Sequence, residues 1–140
     1  MDNTLKPDVN GFCIEKFVRH ALVKRIRRSK LVGYVPTNGA IEKIHSGKAE
    51  EYAEYFIRLM RVKTNFQANA VKPYRFFTST GNQVERERVG LLSIDPVKVT
   101  DVPRQQLFDP ETNIDIGIRL YTDYILKEKK VPAINDVISI

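Results

Sequence analysis

A chain of 140 residues, 42% of them hydrophobic, suffices for one globular domain around one core, and no second domain is expected. Cys13 has no second cysteine to pair with, Cys13, His20 and His45 show no zinc spacing, and no apolar run approaches the ~18 residues of a membrane span, so disulfide, metal, cofactor and membrane span are all absent from the expectation. A net charge of +6 favours acidic partners, whether nucleic acid, anionic lipid or cell-wall polymer, without choosing among them.

The start of the chain carries Asp2, Asn3 and Lys6 and no apolar segment of the kind an export signal needs, so none is expected and the location stays open. Residues 1–9 and 131–140 combine proline with polar residues and lack a period. They read as arms, loose or docked on a partner, on either side of a domain spanning 10–130.

Ile14, Phe17, Val18, Ala21, Leu22 and Ile26 recur at helical spacing, predicting a helix over about 12–30 with Asn10 as its N-cap and a stop at Gly33 and Pro36. Its other face holds Lys16, Arg19, Lys24, Arg25, Arg27, Arg28 and Lys30. A solvated face explains these charges; a phosphate-contacting helix would add stacking or base-reading residues, which this face lacks. After a turn at Pro36–Gly39, Ile41 and Ile44 suggest a short helical piece, and Ser46 can cap the helix that follows. In that helix Ala49, Tyr52, Ala53, Phe56, Leu59 and Met60 form the inward stripe. Glu50, Glu54, Arg58 and Arg61 lie outside, with Glu54 and Arg58 in the favourable i, i+4 order. Lys63 follows Phe56 by seven residues, so it continues the apolar stripe, and a polar group there must reach a cleft or a partner.

Residues 74–78 and 83–89, joined by Ser79-Thr80-Gly81-Asn82, read as an exposed β-hairpin. Glu85 and Glu87 in its second strand have Arg86 and Arg88 as natural ion-pair partners. Asp109-Pro110 is a strong helix start, and Ile114, Gly117, Ile118, Tyr121 and Ile125 give that helix an inward stripe ending near Lys130. Gly117 within the stripe suggests a close helix crossing. The whole is mainly α, with an α+β character from the hairpin.

Three fragments add a resemblance. Lys63-Thr64-Asn65-Phe66-Gln67-Ala68-Asn69-Ala70-Val71 resembles the segment Glu-Ser-x-Phe-x-x-x-Ala-Val of lytic transglycosylases and goose-type lysozymes, with Lys63 at the catalytic glutamate position. Gly90-Leu91-Leu92-Ser93-Ile94-Asp95-Pro96 is similar to the family's Gly-Leu-Met-Gln-x-x-Pro. Leu107-Phe108-Asp109-Pro110-Glu111-Thr112-Asn113-Ile114-Asp115-Ile116-Gly117 is similar to its Leu-x-Asp-Pro-x-x-Asn-Ile-x-x-Gly. The resemblance covers roughly residues 39–130. It implies a lysozyme-like helical domain with a small β-hairpin, and a glycan cleft lined by Lys63, Thr64, Phe66, Gln67, Ser93 and Asp95.

In the family the glutamate protonates the glycosidic oxygen, a role that lysine cannot take because an ammonium near neutral pH is a poor acid towards an ether oxygen. The family's Ala-Tyr-Asn-Ala-Gly motif, whose tyrosine supports the acid, is also missing. The resemblance therefore implies a domain that has lost catalysis and serves as a structural or peptidoglycan-binding component, with a phage virion or envelope-spanning assembly as the favoured context and other assembly proteins as partners. Lys63 and Asp95 are expected to form an ion pair across the cleft. Two other readings stand beside this one: an active murein hydrolase using Glu85, Glu87 or Asp95, and a basic nucleic-acid binder.

Overall fold

In the computed structural model, which describes residues 5–135, three α-helices and one two-stranded antiparallel sheet follow the periodicities of the sequence and give the expected mainly helical α+β fold. Helix α1 spans Glu15–Ile26, shorter at both ends than the apolar spacing suggests. Its start is delayed because the preceding backbone is engaged elsewhere. The Cys13 N–H donates to the Phe66 carbonyl at 2.9 Å and the Ala68 N–H to the Gly11 carbonyl at 2.8 Å, an extended bridge that sets Phe12 beside Gln67. Asn10 is not the cap: Asp8 holds the turn instead, its carboxylate accepting from the Asn10 and Phe12 N–H groups. At the other end Ser29 donates its hydroxyl to the Ile26 carbonyl and the chain turns to bury Leu31. Val18, Ala21, Leu22 and Ile26 are buried as expected, whereas Ile14 is exposed.

Helix α2, Ala49–Lys63, is the centre of the molecule. Every residue of its inward stripe is buried, and Tyr55 and Ile57 are buried as well, because α2 is covered from several sides. Phe56 packs edge-on against Tyr121 at 5.3 Å, the Tyr52 hydroxyl donates to the Tyr34 carbonyl, and the Tyr55 hydroxyl donates to the Pro132 carbonyl. Each such aliphatic or aromatic side chain removed from water contributes roughly 1.5–3 kcal/mol. On the outer side the expected Glu54–Arg58 pair gives way to tertiary partners: Glu54 binds Arg19 of α1, and Arg58 donates to the Glu42 carbonyl at 2.7 Å. Residues 41–44 form turns rather than a helical piece, with Ile44 buried and Ile41 exposed.

Ser46 does not cap α2 as an acceptor. Glu51 does so from within the first turn, its carboxylate accepting from the N–H groups of His45, Ser46 and Lys48 at 2.9–3.0 Å and from the Ser46 hydroxyl. Burial pushes this carboxyl up, but the N–H bonds outweigh it and bring Glu51 down to about 2. A lowered folded-state value stabilises the fold above the ordinary glutamate range near ~4.3, and that contribution is lost as pH falls through about 2. Glu51→Gln should therefore cost about 1–2 kcal/mol at pH 7 and flatten the acid limb of stability below pH ~4, as read by urea unfolding across pH. An acid limb identical to that of the parent chain would contradict this role.

Strands β1, Val71–Phe77, and β2, Gln83–Val89, form the hairpin, β1 beginning three residues earlier than the sequence suggests. Their register sets Lys72 opposite Arg88, Tyr74 opposite Arg86 and Arg75 opposite Glu85. Helix α3, Pro110–Glu128, starts as expected on Asp109, whose carboxylate accepts from the Thr112 N–H at 2.9 Å. Gly117 makes its close approach to a turn and not to a helix: a Cβ there would stand 2.3 Å from Cδ1 of Leu92. After α3, Val131 and Pro132 are buried, and Asn38 exchanges two hydrogen bonds with the Val131 backbone. Of the two expected arms, residues 1–4 and 136–140 lie outside the described residues.

Candidate functional site

Helix α2 ends on Lys63, and the chain leaves it through two left-handed residues, Asn65 (φ 49°) and Phe66 (φ 61°). Thr64, the C-cap, is buried, and its hydroxyl oxygen lies 2.8 Å from the Leu91 carbonyl. That contact fastens the helix end to a second tight turn, Gly90 (φ 78°) to Ser93 (φ 55°), closed by the Ser93 N–H donating to the Gly90 carbonyl. Asn113 of α3 holds the same turn from behind. It accepts from the Leu92 N–H at 2.8 Å and donates to the carbonyls of Val89 and Leu107.

These two turns bring Lys63 and Ser93 to one cavity of about 310 Å³, walled by Lys72, Tyr74 and Arg88 of the hairpin and by Ile134 and Asn135. Three cations from three segments line it, and no carboxylate among the described residues does. The Arg88 guanidinium lies 4.2 Å from the centre of the Tyr74 ring, Tyr74 stacks on Phe76 at 6.1 Å, and Arg86 lies 4.9 Å from the Phe76 ring centre. Alternation along the strands places these side chains on one face of the hairpin.

Tyr74 also borders a larger cleft of about 930 Å³, and the carboxylates considered from the sequence are found there. Asp95, 1% exposed, is bound by the Tyr74 hydroxyl, by the Val97 N–H at 3.0 Å and by Arg86 at 3.2 Å. Among the described residues its ion partner is thus Arg86 and not Lys63, which corrects the expected pair: Lys63 lines the cavity beyond Tyr74. Burial pushes the Asp95 carboxyl up, but the hydrogen bonds from Tyr74, Val97 and Arg86 outweigh it and hold it below the ordinary carboxylate range. Glu85 pairs with Arg75 at 3.1 Å, and Glu87 with Arg104, whose hydrogen bonds hold its carboxyl low. Both glutamates are ion-paired, though with Arg75 and Arg104 instead of Arg86 and Arg88. A carboxylate held ionised by an arginine is a poor proton donor.

Two other residues expected at the cleft are placed differently. Phe66 is buried, edge-on to Phe12 at 6.4 Å, and belongs to the core. Gln67 borders an adjacent hollow that it shares with Lys63 and Lys72. Lys72, Tyr74 and Arg88 were not singled out by the motifs; the alternation Lys72-Tyr74-Phe76 read against Arg86-Arg88 carries the signal, once the hairpin register is known. Arg19 and Arg25 of α1 and Arg27 at its C-cap are drawn into ion pairs with Glu54, Asp115 and Glu50, which removes part of the charge that a phosphate-contacting face would use.

No protein-family profile matches the chain, and no curated protein matches it in sequence. Solved structures do match in three dimensions. Two glutamate-to-glutamine variants of Bd0314 DslA align with TM-scores of 0.64 and 0.63 at 18% identity, each alignment covering 82% of this chain and 69% of the other. Wild-type Bd0314 DslA aligns with a TM-score of 0.63 at 17% identity over 93% of this chain and 78% of the other. At that identity the likeness is one of architecture, and the chain is similar in fold to Bd0314 DslA.

Proposed function

We propose that this chain is a catalytically degenerate lytic-transglycosylase-like domain that binds peptidoglycan strands or serves as a structural component of an assembly such as a phage virion or an envelope-spanning machine. The observation that carries this reading is chemical: the residue at the end of α2, facing the hairpin, is Lys63, and the nearby carboxylates Glu85, Glu87 and Asp95 are each ion-paired to an arginine at a different cleft. Glycosidic cleavage in this class needs a carboxyl poised to protonate the leaving oxygen. The order of the three motif fragments supports the placement of Lys63 at that position, and the likeness in fold to Bd0314 DslA supports the architecture around it. The nearest rival, an active hydrolase using Asp95, is disfavoured because that carboxyl is buried and held ionised.

Purified protein mixed with peptidoglycan sacculi should sediment with them while releasing no soluble muropeptides. Release by the parent chain would overturn the reading, and failure to sediment would leave only the structural role.

A further inference from the structure

We infer that the end of the molecule away from the Lys63 cavity docks on an anionic lipid bilayer, its cations meeting the headgroups and three aliphatic side chains entering the interface. Arg27, at the C-cap of α1, binds Glu50 in the first turn of α2 at 2.9 Å, so α1 stops where α2 starts. The connection between them is closed by the Gly33 N–H donating to the Gly47 carbonyl at 2.8 Å. Its Thr37 N–H donates to the Lys129 carbonyl at 2.8 Å, which brings the end of α3 to the same place. Lys63 stands at the other end of the 15 residues of α2, roughly 22 Å away.

Residues 27–51 and 127–130 hold eight Lys and Arg against four carboxylates. Three of those carboxylates are already taken up: Glu50 by Arg27, Glu51 by the N–H groups at the start of α2, and Glu42 by burial. Arg28, Lys30, Lys43, Lys127, Lys129 and Lys130 are exposed and have no carboxylate partner among the described residues. Val32, Val35 and Ile41, on the same connection, are 47%, 48% and 79% exposed, while Leu31 and Ile44 anchor it in the core. Val35 lies against the turn that carries Ile41, since a Cβ on Gly39 would stand 3.3 Å from Val35 Cγ1. A nucleic-acid surface sets stacking or base-reading groups among its cations, whereas aliphatic side chains stand among these. A bilayer interface uses both kinds of group, because anionic headgroups attract the cations and the acyl boundary takes the aliphatic side chains. Docking at this end holds the Lys63 cavity away from the bilayer, so the inference goes beyond the glycan reading and stands without it.

Co-sedimentation of the full chain with vesicles tests this. Vesicles of about 30% phosphatidylglycerol in phosphatidylcholine should take up the chain, pure phosphatidylcholine should not, and about 0.5 M salt should release most of it. Lys30→Gln combined with Lys130→Gln should weaken uptake about tenfold or more, because one cation near an anionic surface is worth roughly a factor of five. Lys16→Gln removes the same charge from the first turn of α1, beyond a Debye length from the proposed contact, and should change uptake less than about twofold. The chain has no tryptophan and Ile41 is exposed, so Ile41→Trp supplies a single reporter without disturbing the core. Its emission should shift to the blue on the anionic vesicles and be quenched by brominated acyl chains. Uptake with neither shift nor quenching would overturn the inserted contact, and a loss in Lys16→Gln equal to that of the Lys30 and Lys130 pair would overturn its place. No uptake by the vesicles, with duplex DNA bound instead and released by the same pair of substitutions, would assign the cations to nucleic acid and overturn the bilayer reading. Absence of binding to either would overturn it as well.

Discussion

Asn113→Ala should destabilise the chain by about 3 kcal/mol and lower its melting temperature by roughly 10 °C. The side chain is completely buried and serves three backbone groups from two different segments: the Leu92 N–H, and the carbonyls of Val89 and Leu107. Truncation removes this partner from all three, the Val89 carbonyl keeping only its bond from the Ile94 N–H, and each buried group left unsatisfied costs about 1–3 kcal/mol before water or local shifts recover part of it. Asn113→Asp separates the contributions: it keeps the acceptor for Leu92 but turns a carboxylate oxygen towards two carbonyls, so it should be at least as damaging at neutral pH. Calorimetry checks both variants, and a drop of less than ~2 °C for the alanine variant would show that the turn is held by something else.

The second large effect concerns pH. On the proposed reading, Lys63→Glu sets at the end of α2 the residue type that lytic transglycosylases use there, and glycan cleavage by this variant should be confined to acid. Lys72 and Arg88 line the same cavity, and cations favour the ionised form of a carboxyl beside them. A general acid must be protonated, so the active fraction should grow as pH falls below the ordinary glutamate range near ~4.3 and be negligible at pH 7. Adding Lys72→Gln and Arg88→Gln removes the two cations and should move the activity profile upward by about one pH unit or more. Muropeptide release from sacculi, followed from about pH 3 to about pH 8 on either side of that range, reads all three proteins. Vigorous release at pH 7 by Lys63→Glu alone would mean that Lys72 and Arg88 do not act on position 63.

Local spacing was enough for the elements whose reasons are local. The stripe from Ala49 to Met60 is buried throughout, because a 3.6-residue period admits one way of covering that face. Asp109-Pro110 starts α3 because the cap and the fixed proline φ act within one turn. The hairpin's second strand and its loop follow from turn chemistry, and Lys63 ends α2 where the stripe runs out. Tertiary contacts decided the rest. The helix expected over about 12–30 takes in Phe12 and Cys13, but the chain beyond α2 claims their backbone, so α1 begins at Glu15. Glu54 pairs with Arg19 in place of Arg58, because a cation on a packed neighbouring helix competes with one on the same helix. The partner of Asp95 is fixed by hairpin register, which carries Arg86 and Tyr74 to it and leaves Lys63 on the far side of Tyr74. Residue order thus named Lys63 as the end of α2, where the resemblance to lytic transglycosylases would set the acid. That Lys63 shares its cavity with Lys72 and Arg88 depends on the pairing of two strands with a helix terminus, and only the folded chain brings those three segments together.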